Sequence, residues 1–236
     1  METQLMKKLI IVFFIAFCVV GIQQVAAQYK SESNRVRTRV GNPVVGSPID
    51  APPIPGGNAR QAVLNEFGVT IDASHPTSYA EWAWEFLWEV SDTSFDERVK
   101  GTIVGRDDGG SWQENCKKIN IRGTYDRALF RIVFTHEMGH IIMNCPVGET
   151  FRDAHNTARR DEGQLTIYSR VLCTYGGKGG PWESESENYA EMIAYYLNPD
   201  VNSRTACGEE PNPYANGGHP KHRTVAENIL GPYQQL

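Results

Sequence analysis

His136-Glu137-Met138-Gly139-His140 is the stretch of this chain whose residue types and spacing most clearly specify a reaction. On an α-helix, residues four apart differ by about 40° around the axis. Both imidazoles then leave one face and can hold one divalent cation through neutral ring nitrogens. Glu137 follows the first histidine and projects about 100° from it. Its carboxylate can reach a water on the cation without joining the cation's ligands. A Zn²⁺ ion lowers the pKa of its water, and the neighbouring carboxylate takes the proton. With six histidines in 236 residues, a chance HExxH match is rare. The plainer alternative is a pair of core histidines satisfied by hydrogen bonds.

This five-residue signature on an amphipathic helix resembles that of the zincin metallopeptidases. The resemblance implies a compact α+β domain and a zinc site with His136 and His140 as ligands. It also implies Glu137 as base and proton shuttle for cleavage of a protein or peptide substrate. The family's cleft lies below an edge strand that pairs with extended substrate, and Val104 or Ile119 to Ile121 are candidates for that strand. The metzincin branch places Gly and His where this chain has Met143 and Pro146, so it is excluded. The aspartate branch wants a Gly-Thr-x-x-Asp segment downstream, whereas Gly123-Thr124-Tyr125-Asp126 lies upstream.

A glutamate third ligand remains, with two candidates. Glu162 follows His140 at a thermolysin-like distance but has polar flanks. Glu187 begins Glu187-Asn188-Tyr189-Ala190-Glu191, where Glu187, Ala190, Glu191, Ala194 and Leu197 share a helical stripe. Two carboxylates on a buried face need a partner. The string also looks like the third-ligand helix of the gluzincins related to anthrax lethal factor and the Pro-Pro endopeptidases. By that resemblance Glu187 is the ligand and Glu191 accepts a hydrogen bond from a ligand histidine. Ser184-Glu185-Ser186-Glu187 also reads as a capping box, which would make Glu187 a cap. For the group that stabilises the oxyanion, Tyr168, Tyr175, His219 and His222 stay open.

The elements that must position these residues are partly readable. Ser78-Tyr79-Ala80-Glu81 reads as a capping box. Tyr79, Trp82, Ala83, Phe86, Leu87 and Val90 then form one buried helical face. Trp84 and Trp88 lie on another side, best read as a second packing face. Residues 100–105 and 118–122 read as strands, with a turn at Asp107-Asp108-Gly109-Gly110. The spacing predicts a helix from Tyr125 to about Asn144, with Leu129, Ile132, Val133, His136, His140 and Met143 on one stripe. Residues 147–181 are polar and Gly-rich and read as loop. Helices follow at Glu187 to Leu197 and around Thr224 to Leu230.

Lys7 and Lys8, an apolar run from Leu9 to Val20 and Val25-Ala26-Ala27 have the order of a cleaved secretory signal over residues 1–27. The apolar run is short for a bilayer span of about 20 residues, so no membrane attachment is expected after cleavage. Residues 28–57 are Pro- and Gly-rich and read as a leader, pro-segment or arm; residues 58–236 form the domain. Cys116, Cys145, Cys173 and Cys207 remain, an even number expected to make two disulfides with pairing open. The net charge of −5 argues against a nucleic-acid partner. Oligomeric state is not encoded in any visible pattern. The reading is a secreted zinc endopeptidase. Its rivals are a zinc-stabilised binding protein on a peptidase scaffold and an exported toxin or effector with one host substrate.

Overall fold

The computed structural model describes residues 51–145, 149–166, 181–205 and 208–233, all within one compact unit, Gly46–Leu236. The expected signal segment, Tyr168, Tyr175, Cys173 and Cys207 lie outside the described residues. Among the described residues the fold is α+β, with seven α-helices and a small mixed sheet. The helices are α1 Ala59–Phe67, α2 Thr77–Glu89, α3 Phe95–Val99, α4 Arg127–Asn144, α5 Glu149–Glu162, α6 Pro181–Tyr196 and α7 Pro220–Leu230. The four-stranded sheet holds β1 Thr70–Ile71, β2 Ile103–Arg106, β3 Trp112–Asn115 and β4 Lys118–Ile121 in the order β1-β2-β4-β3. β1, β2 and β4 are parallel, and β3 runs antiparallel to β4. A separate hairpin pairs β5 Ser203–Thr205 with β6 Gly208–Glu210.

This order corrects the expectation for a substrate-pairing strand. Val104 and Ile119 to Ile121 sit on interior strands with both edges bonded. The open antiparallel edge is β3, a polar, exposed strand whose sequence lacks the alternation that marks β2 and β4. β3 lies against α4, where Asn144 Nδ2 donates to Gln113 Oε1 at 2.6 Å. The Cys116–Cys145 disulfide fastens the β3–β4 turn to the C-terminus of the same helix.

The core forms where the aromatic face of α2 meets α4. Tyr79 and Phe130 rings lie 4.5 Å apart, and Phe86 meets Phe134 edge-on at 6.1 Å. Trp84 and Trp88 pack on Phe67 of α1, so α2 is covered on two sides. Trp84 also donates from Nε1 to Pro52 O, which lays the end of the Pro-rich leader along α2. The helix begins at Thr77, with no side-chain cap, rather than behind a Ser78 cap. α4 ends at Asn144 as expected and begins at Arg127, just after the expected Tyr125, where Asp126 caps it by accepting from Leu129 N at 2.9 Å. Arg131 leaves α4 toward α2, pairing both Glu89 oxygens at 2.6 Å and stacking 4.9 Å from the Phe86 ring centroid.

Two departures matter for the site. Residues 149–162, expected as loop, form α5; its buried side is carried by His155 and Ala158, too polar to show as a stripe. α6 begins at Pro181, six residues earlier than expected, so Ser184 is interior to the helix and Glu187 does not cap it.

Among the described residues α4 and α6 form the most extensive helix pair. Their axes approach at Gly139, where a Cβ would stand 2.8 Å from Ala190 Cα and 3.1 Å from its carbonyl oxygen. Only a residue without a side chain fits that crossing. Gly139→Ala gains about 1 kcal/mol of helix propensity but overpacks backbone against backbone, which typically costs about 1–3 kcal/mol. Denaturant unfolding should show net destabilisation of Gly139→Ala; equal or greater stability would show that the crossing relaxes freely.

His155 is fully buried beside Tyr189, with ring centroids 5.0 Å apart. Burial, with His222 and Arg159 adding, holds its pKa down to about 3. An unfolded histidine titrates near 6.5. The unfolded state therefore binds more protons between those values, and stability is lost as pH falls below about 6.5. In chelator-treated protein, unfolding midpoints should fall on acidification from pH 6.5 toward 4, and His155→Phe should flatten that slope.

Candidate metal centre

The crossing places two turns face to face. His136 and His140 lie three residues before and one after Gly139; Glu187 and Glu191 lie three before and one after Ala190. Glu187 Oε2 consequently stands 3.0 Å from His136 Nε2 and 3.6 Å from His140 Nε2. One ligand atom from each of the three residues lies within 4.8 Å of the others.

The far side of each imidazole is engaged. His136 Nδ1 is 2.8 Å from Glu191 Oε1, and His140 Nδ1 is 2.8 Å from Ser186 Oγ. A carboxylate only accepts, so His136 carries a proton on Nδ1, and a neutral ring then presents a lone pair at Nε2. The same arrangement suits His140 with Ser186 as acceptor. Glu187 Oε2 is buried and makes no aligned hydrogen bond. Three acceptor atoms thus converge with no proton required among them, which fits a cation held by two imidazoles and one carboxylate.

The electrostatics agree. Burial opposes charge on His136, but Glu187 and Glu191 outweigh it and hold its pKa well above the ordinary value. Burial likewise opposes ionisation of Glu187, but His136 and His140 outweigh it and hold that carboxyl far below the usual range. The site therefore draws in positive charge, as a proton when nothing else is bound. Glu137 is 5% exposed, and its Oε2 has no hydrogen-bond partner. Burial pushes its pKa up, against the pull of His136 and His140.

Glu162 is not part of this group. Its oxygens accept from Lys221 N at 2.7 Å and His222 N at 3.1 Å, capping the first turn of α7. It joins His219 and His222 in a second His/Glu cluster. His219 and His222, weighed as oxyanion-stabilising groups, are gathered there and not around His136. His222 is fully buried and held between Glu162 and Asn188. Ser186 and Gly139 escaped the sequence reading. Ser186 stands in an acid-rich turn that reads as a helix start, and Gly139 carries a meaning only in the presence of a partner helix.

Metal titration separates the two glutamates. The wild type should bind about one zinc per chain, and His136→Ala with His140→Ala should abolish binding. Glu187→Gln should weaken it by more than about 100-fold, while Glu162→Gln should leave it unchanged. Retention of zinc by the double histidine variant would move the metal elsewhere.

No protein-family model matches the chain, and no curated protein or solved structure is significantly similar to it, so its functional assignment rests on this geometry.

Proposed function

We propose that the chain is a secreted zinc endopeptidase of the gluzincin type. The observation that carries this reading is the convergence of His136 Nε2, His140 Nε2 and Glu187 Oε2 beside the buried carboxylate of Glu137, whose Oε2 has no hydrogen-bond partner. A binding protein has no use for that fourth group. A zinc ion, when bound, supplies Lewis acidity at a substrate carbonyl and acidifies a water.

The protein's own contribution is positional and protolytic. Glu191 and Ser186 hold the two imidazoles in ring orientation and tautomer. Glu137 takes the proton from the attacking water and returns it to the leaving nitrogen. Burial raises its pKa, which makes the carboxylate a better proton acceptor in the first half of that exchange. An extended peptide has a natural seat on the open edge of β3, beside the helix that carries the histidines. The Cys116–Cys145 disulfide supports an oxidising compartment, as does the signal-like N-terminus. Among the described residues no helix is long and apolar enough to cross a membrane.

Glu137→Gln keeps size and polarity and removes the base. Cleavage of a broad peptide library should fall about 10²- to 10⁴-fold, with zinc content unchanged. Undiminished cleavage by zinc-loaded Glu137→Gln would refute the mechanism, and no cleavage by the wild type on any peptide would favour a binding role.

A further inference from the structure

The second cluster, Glu162, His219 and His222, has the composition of a metal site, and its protonation pattern argues otherwise. Asn188 is fully buried on α6, directly after Glu187. Leu165 N donates to Asn188 Oδ1 at 3.0 Å, which fixes which end of the amide is oxygen. Asn188 Nδ2 then faces His222 Nε2 at 3.2 Å and His155 Nε2 at 3.5 Å. An amide nitrogen only donates, so His222 must accept at Nε2 and, when neutral, carries its proton on Nδ1. That proton points at Glu162 Oε2, 2.9 Å away. A cation at the cluster would need the lone pair of His222 Nδ1. The proton would move to Nε2 and confront the Asn188 amide, donor against donor, in a site closed to water.

We infer that this cluster is a hydrogen-bond relay, not a metal site, and that Asn188 is a positioning residue for the turn of α6 that carries Glu187. The relay runs from Leu165 through Asn188 and His222 to Glu162 and the first turn of α7. It ties three segments to one side chain. Gly139 presses on this turn of α6 from one side, and the relay holds it from another, so the Glu187 carboxylate has little freedom to swing. The positioning role rests on the metal-centre reading; the tautomer assignment does not.

The test has two parts. Nitrogen-15 NMR of histidine-labelled wild type should find His222 protonated at Nδ1 and bare at Nε2; the opposite tautomer would overturn the relay whether or not the protein binds metal. Zinc affinity is then measured by chelator competition on folded Asn188→Leu, with Asn212→Ala as control. Asn212 is also buried and bonds Asn198 O at 3.0 Å and Val201 O at 3.2 Å beyond the far end of α6, so its loss damages the fold away from Glu187. Asn188→Leu should weaken zinc about 10- to 100-fold, with Asn212→Ala unchanged. Equal effects in both variants, or none in Asn188→Leu, would reduce Asn188 to a structural residue. If Asn188→Leu does not fold, Asn188→Ser, which also loses both imidazole contacts, replaces it. A second zinc per chain, lost in His219→Ala, would overturn the relay in favour of a metal site. A wild type that binds no zinc would end the metal-centre reading and the positioning role together, leaving the tautomer result to judge the relay.

Discussion

The close crossing of α4 and α6 at Gly139 and Ala190 is the constraint on which the rest of the structure depends. Backbone meets backbone there, with no room for a methyl group at position 139. Each helix contributes a pair of residues one turn apart around the contact. The glutamate side chain is short, so its carboxylate meets an imidazole only when the helix axes come this near. A wider crossing would leave His136, His140, Glu187 and Glu191 as four polar groups in an apolar interior, each short of a partner.

Their burial makes charge the second constraint. Glu137 and Glu191 are buried, and Glu187 Oε2 is closed to water, all within one turn of two imidazoles. Removing carboxylates from water without a counter-charge is costly, and His136 answers part of that by holding a proton. A divalent cation would answer more of it and would couple occupancy of the site to stability of the helix pair. The periphery serves the same end. The disulfide and the Gln113–Asn144 bond hold the end of α4 to the sheet. Arg131 holds its beginning to α2.

Much of this was legible in the sequence because it is local. Helical spacing alone places His136 and His140 on one face. The stripe of Glu187, Ala190 and Glu191 announces a buried acidic face. The stripe of Leu129, Ile132, Val133, His136, His140 and Met143 places the helix that runs Arg127–Asn144. What stayed hidden depends on distant partners. α5 buries His155 where a hydrophobic pattern would show Leu, and Asn188, from another helix, reaches its Nε2. Glu162 stands beside Glu187 as an alternative ligand in the sequence because carboxylate spacing cannot tell a helix cap from a metal site. β3 is an edge strand with little apolar content, and its pairing is set by β4 and α4, not by its own residues.

Zinc K-edge X-ray absorption on purified protein tests most directly whether the crossing builds a metal centre. The expected spectrum has one zinc per chain with imidazole scattering from two histidines and oxygen from a carboxylate, all at about 2.0–2.2 Å. A shell containing sulfur, a shell lacking imidazole scattering, or protein that takes up no zinc would contradict it.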